Sequence, residues 1–177
     1  PSFAQDATQE EAEEESGQTA IVVTGTRRND LKAADAALPI DIITGDELLE
    51  KGAADMNDLL RTEVPALNIQ RLVSNDGAVF TRPFSLRGLP PDQTLVLVNG
   101  KRRHRGATVQ FTNVPYIRGS QGPDLAAIPS VAVGQLEVLR DGASALYGSD
   151  AIAGVLNFGL RRDREGGLLI ARYGQYY

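Results

Sequence analysis

Residues 141–155 read DGASALYGSDAIAGV, a glycine-rich stretch set between two apolar runs. It has neither the Gly-Lys-Ser/Thr ending of a phosphate loop nor the spacing of a dinucleotide fingerprint, so its glycines serve turns and close packing. Just before it, Gln135-Leu136-Glu137-Val138-Leu139-Arg140 alternates as a strand, and Asp141-Gly142 turns the chain into Ala143-Ser144-Ala145-Leu146-Tyr147-Gly148. At its far end, residues 151–154 hold at most one helical turn, and Val155-Leu156-Asn157-Phe158 reads as a buried strand. Upstream, Ser130 is placed to cap a short turn of helix.

Farther out, Thr94-Leu95-Val96-Leu97-Val98 runs into Asn99-Gly100, the dipeptide best suited to a two-residue hairpin because both central positions need positive φ. Pro39-Ile40-Asp41-Ile42-Ile43 alternates as a strand; Thr44 with Glu47 three residues on is a capping-box pattern, predicting a short helix that Gly52 can stop. A second helix is expected over residues 56–62, with Leu59 and Leu60 on its apolar side and Pro65 opposing continuation. Ile69 and residues 84–88 read as further short strands. Residues 106–123 show Gly, Pro, Asn and Ser without periodicity, and loops of such length in compact domains are functional or disordered. Residues 5–18 carry Glu10, Glu11, Glu13, Glu14 and Glu15 with almost nothing apolar to bury, which predicts a disordered acidic arm.

The chain has 177 residues, 42% hydrophobic, enough for one compact domain with tails. Its net charge of −5 argues against a nucleic-acid binder. With no cysteine there is no disulfide, thiolate metal site or cysteine nucleophile. No run approaches the roughly 20 apolar residues of a membrane-spanning helix. Ser2 and Ala4 near the start have the spacing a signal peptidase accepts, so the opening reads as the stub of a removed secretory signal.

An enzyme lacks its parts. The one histidine, His104, sits among Lys101, Arg102, Arg103 and Arg105 with no carboxylate nearby in sequence to orient it, and it matches no metal-ligand spacing. The basic run itself has two readings: an anion-attracting border of a cleft, or a solvated strand end after the hairpin.

DGASALYGSDAIAGV resembles the end of the plug domain in TonB-dependent outer-membrane receptors. LPIDIITGDELLEKGAADMNDLLRTEVPALNI, FSLRGLPPDQTLVLVNGKR and DLAAIPSVAVGQLEVLRDG are similar to that family's earlier plug segments, in the family's order. The likeness covers residues 38–162, and Thr19-Ala20-Ile21-Val22-Val23-Thr24-Gly25 is similar to the family's TonB box. The chain departs from the family at Asn157-Phe158-Gly159-Leu160-Arg161-Arg162, where a Thr-containing continuation is frequent. Residues 168–177 could form one barrel strand, whereas a plugged transporter barrel needs about 22.

The resemblance implies an α+β fold, a small mixed β-sheet with short helices, behind the disordered acidic arm. It implies a signal remnant and arm at 1–18, a box and linker at 19–37, a plug at 38–162 and the start of a first barrel strand at 163–177. It implies energy-coupled uptake of a scarce solute such as a siderophore, at the outer membrane with the box facing the periplasm, by a protein that is not an enzyme and needs no cofactor. The implied partners are the TonB carboxy-terminal domain, the protein's own β-barrel and an imported small molecule, with no nucleic acid. Ile21, Val22, Val23 and Thr24 would contact TonB by strand addition, their alternative being an ordinary first strand of the plug sheet. Arg82, Arg102, Arg103, Arg105, Tyr116 and Arg118, in the irregular segments 75–83 and 102–121, are the candidate solute contacts. A stand-alone periplasmic binding or signalling module without a barrel is the competing reading.

Overall fold

The computed structural model describes residues 40–50, 55–69, 78–111, 114–115, 117–140 and 143–162. The acidic arm, the box-like segment at 19–25, Gly52, the Asp141-Gly142 turn, Tyr116 and residues 163–177 lie outside them. Strand β1 (Ile40–Thr44) leads into helix α1 (Gly45–Glu50), followed by α2 (Met56–Glu63), β2 (Leu67–Ile69), α3 (Ala78–Thr81) and β3 (Phe84–Leu86). The hairpin β4 (Thr94–Val98) and β5 (Lys101–Arg102) comes next, then β6 (Val133–Leu139), α4 (Ser144–Tyr147) and β7 (Gly154–Leu160).

Five strands form one sheet in the order β1-β6-β7-β4-β5, and β2 pairs with β3 separately. All neighbours are antiparallel except β4 and β7, which run parallel with Thr94 opposite Gly154 and Val98 opposite Phe158. The sheet is therefore mixed, and with its short helices the fold is α+β.

Two of the three inner strands, β4 and β7, are largely apolar on both faces, as strands covered on both sides must be. Alternation along β4 sorts its side chains between two cores. Val96 joins Ile43, Leu48, Leu59, Leu60, Leu136, Leu156 and Phe158 beneath α1, α2 and the β2–β3 pair. Leu95 and Leu97 point the other way, to Leu139, Ala143, Ala151 and Val155. Burying each such leucine contributes about 1.5–3 kcal/mol, so these faces hold the sheet to its helices.

Local signals explain most element boundaries. Glu47 accepts from the Thr44 N–H (2.7 Å) while the Thr44 hydroxyl accepts from the Glu47 N–H (3.3 Å), the reciprocal capping box at the head of α1. Asn99 and Gly100 have φ of 50° and 75°, as a type I′ turn requires, and β4 and β5 pair across them. Gly154 has φ 144°, and a Cβ there would stand 2.5 Å from the Leu139 carbonyl oxygen, so only glycine opens β7.

Three expectations shift. Pro129, not Ser130, occupies the cap before the 3-10 turn Ser130–Ala132, because that turn starts on the proline's fixed φ and no side chain caps it. The strand expected at 135–140 begins at Val133, carried past a register shift between Val133 and Gln135. The helical turn expected at 151–154 is a 3-10 turn at Ser149–Ala151, since Gly154 already pairs with Thr94.

Candidate functional site

The hairpin positions the basic run. Gly100 donates its N–H to Asn157 Oδ1 (3.0 Å), and Asn99 Oδ1 accepts from the Leu160 N–H (2.8 Å), fastening the turn to β7. Asn157 is itself buried and donates to Glu137 Oε2 (3.1 Å), while Gln135 donates to Glu137 Oε1 (2.8 Å). A buried carboxylate held by two amides costs far less than an unpaired one, and it fixes the orientation of Asn157.

Leaving this anchored turn, Arg102, Arg103, His104 and Arg105 border an open cleft of about 260 Å³, with Asp92, Thr94, Gln121 and Asp150 among its other walls. Arg102 is already engaged: it donates to Asp150 Oδ2 (2.6 Å) and to the Tyr147 carbonyl at the end of α4 (2.5 Å). Arg105 reaches the other Asp150 oxygen at 3.5 Å. Asp150 therefore neutralises part of the run and ties the hairpin to the turn after α4. The buried Thr94 hydroxyl, on the floor of the cleft, has no hydrogen-bond partner.

Arg82 lies elsewhere. Held at φ 41°, it forms an ion pair with Asp55, the N-cap of α2, whose other oxygen accepts from the Asp58 N–H (3.0 Å). Partial burial works to raise the Asp55 pKa. It is outweighed by the hydrogen bond from the Asp58 N–H, the Arg82 guanidinium and the Asn57 N–H, which together hold the carboxyl below its ordinary value. Arg118 is exposed on the turn that closes at Gly119. The cleft thus gathers Arg102, Arg103 and Arg105 but includes neither Arg82 nor Arg118.

The described residues of the irregular segment 106–123 are well braced. Gln110 is buried; its N–H donates to the Ser120 carbonyl (3.1 Å) and its own carbonyl accepts from the Gly119 N–H (2.7 Å). Its side-chain amide donates to the Thr81 hydroxyl (3.2 Å), joining this segment to the end of α3. Beside these two residues stand Phe80 and Phe111, 83% and 73% exposed. Both fall within the irregular segments 75–83 and 102–121 that the sequence marks for ligand contact, though neither is among the residues singled out there. Among the described residues no cluster of His, Asp and Glu could hold a metal ion, and no helix is long and apolar enough to cross a membrane.

A family model described as the TonB-dependent Receptor Plug Domain matches residues 32–155. Over 163 residues, 92% of this chain, the sequence is 32% identical to the iron-regulated outer membrane virulence protein of Vibrio cholerae. It is also 32% identical over 145 residues to the ferric enterobactin receptor PirA of Pseudomonas aeruginosa. The chain spans about a fifth of the length of these relatives, 22% and 19%. Among solved structures, a mutant of the ferric enterobactin receptor PfeA of Pseudomonas aeruginosa in complex with enterobactin superposes on 71% of this chain. Its TM-score is 0.54 at 29% identity, and 18% of the receptor is covered. The siderophore receptor PirA of Acinetobacter baumannii gives 0.52 at 29% identity over 70% of this chain and 17% of its own.

Proposed function

Because the chain belongs to the TonB-dependent receptor plug domain family, we propose that it fills the barrel of an outer-membrane receptor that takes up a scarce solute of the siderophore kind. The observation that carries this reading is the superposition of 71% of this mixed-sheet chain on the ferric enterobactin receptor at 29% identity. A wide barrel left empty would be an aqueous hole with a polar lining, so its filler must be a folded domain with a largely polar surface. Among the described residues only Phe80, Phe111, Val131, Leu146 and Ile152 are large hydrophobics left exposed.

In this reading residues 38–162 are the plug, 19–37 carry the TonB box and its linker, and 163–177 begin the barrel. The protein works by binding and movement, without catalysis. Ile21, Val22, Val23 and Thr24 face the periplasm and add a strand to the edge of the TonB carboxy-terminal domain, main-chain hydrogen bonds supplying affinity. Arg103, Tyr116 and Arg118 are the candidate solute contacts; Arg82, Arg102 and Arg105 join them only by releasing Asp55 and Asp150.

Titrating the TonB carboxy-terminal domain into the chain and into its Val23→Pro variant tests the coupling. Proline removes a backbone donor and resists ladder pairing, so the variant should lose binding. Equal dissociation constants would show that the segment is not the docking strand, and no binding by wild type would overturn energy coupling altogether.

A further inference from the structure

Asn99-Gly100 carries a reactivity that its place in the hairpin does not use, and it is the one Asn-Gly pair in the chain. Where glycine follows asparagine, no Cβ hinders the glycine nitrogen as it approaches the asparagine side-chain carbonyl, and the pair closes readily into a cyclic imide. We propose that Asn99 is a latent self-modification site held shut by its hydrogen bonds to β7, with the Asn157 side chain as its guard.

The chemistry needs only water. The Gly100 nitrogen attacks Asn99 Cγ; a C–N bond forms there as the Cγ–Nδ2 bond breaks, and the amide leaves as ammonia with the proton that Gly100 gives up. Water then adds to either imide carbonyl. Opening at Cγ gives aspartate; opening at the main-chain carbonyl gives isoaspartate, whose backbone runs through the side-chain carbon and lengthens the turn.

Burial does not protect the pair, because both residues are exposed. The tether does. Asn99 donates its N–H to the Phe158 carbonyl (2.9 Å), Gly100 donates its N–H to Asn157 Oδ1 (3.0 Å), and Asn99 Oδ1 accepts from the Leu160 N–H (2.8 Å). The nucleophile therefore keeps its proton, and the electrophile is held toward β7. Ring closure has to turn the Asn99 amide back onto its own chain and strip the Gly100 proton, so the last two bonds must break first.

Asn157 can guard the turn because it is itself fixed. It is buried and donates to Glu137 Oε2 (3.1 Å), and Glu137 Oε1 accepts from Gln135 (2.8 Å), which leaves Asn157 Oδ1 facing Gly100. A carboxylate on β6 thus sets the chemical lifetime of the turn between β4 and β5. The stake is the cleft: a lengthened turn would disturb the pairing of Val98 with Lys101 and Leu97 with Arg102, and with it the basic run that follows.

Incubation of the 177-residue chain at mildly alkaline pH, followed by peptide mapping that separates the asparaginyl, aspartyl and isoaspartyl forms of residue 99, tests this. Folded wild type should react at least about tenfold more slowly than the same chain unfolded in urea, and Asn157→Ala should speed the folded reaction on the order of tenfold, as loss of a hydrogen bond opens the turn more often. Asn157→Leu, which fills the buried space without offering an acceptor, should do the same. Wild type brought to the variants' melting midpoint with subdenaturing urea should show no such rise, which separates the guard from general loosening. Equal rates in folded and unfolded wild type, rates in the folded variants unchanged from wild type, or an equal rise in the urea-matched wild type would overturn the inference. Each of these outcomes bears on the turn alone and leaves the receptor reading standing.

Discussion

Asp55 caps the first turn of α2 with one oxygen and pairs with Arg82 through the other, joining residues 27 positions apart. In the folded chain its carboxyl titrates below the ordinary range, so the unfolded chain takes up the proton at higher pH. The stabilisation is therefore present above the unfolded pKa and is lost as pH falls through the lower, folded one. The substitution Asp55→Asn keeps a side chain able to cap the helix but removes the charge that Arg82 pairs with. It should flatten the loss of thermal stability below about pH 4, where free carboxyls titrate. Since both side chains are about 30% exposed, solvent screens the pair and the neutral-pH midpoint should move only slightly. Melts of both proteins from neutral pH down to acid check this, and parallel curves would refute it.

At the scale of elements, the hairpin is the clearest case of a local signal fixing structure. Gly100 sits at φ 75° with its N–H bound to Asn157, so valine there forces a β-branched residue into the left-handed region. Gly100→Val should cost on the order of 1–3 kcal/mol, read as a fall in the denaturation midpoint. An unchanged midpoint would mean the turn relaxes freely. Asn99-Gly100 and the Thr44 and Glu47 box were legible because each partner lies within three residues of the other. Alternation likewise marked β1 and β6, and short apolar runs marked β4 and β7. Arg82 with Asp55, or Arg102 with Asp150, was not legible, because those partners meet only after the sheet has assembled. The braced segment 106–123 reads as irregular for the same reason: Gln110 is buried by distant main-chain contacts that carry no period. From sequence the basic run could be a cleft border or a solvated end; it is in part both, since it lines the cleft while Asp150 offsets two of its charges.

For the whole molecule, the sheet order predicts a gradient of protection. β7 lies between β6 and β4, with residues 154–158 buried, while β5 is a two-residue edge strand with exposed side chains. Amides of β7 should exchange only through global opening and those of β5 through local fraying. Hydrogen exchange that found β5 as slow as β7 would contradict the sheet order.

The register of that sheet also sets how it bears load. Ile40 lies in one row with Leu139 and Val155, whereas Leu160 lies beyond the opposite row with Val133. Traction between residues 40 and 160 therefore runs along the strands, and the five residue pairs of β1 and β6 share it at once instead of parting in turn. Under such traction the sheet should resist as a unit before any strand peels away.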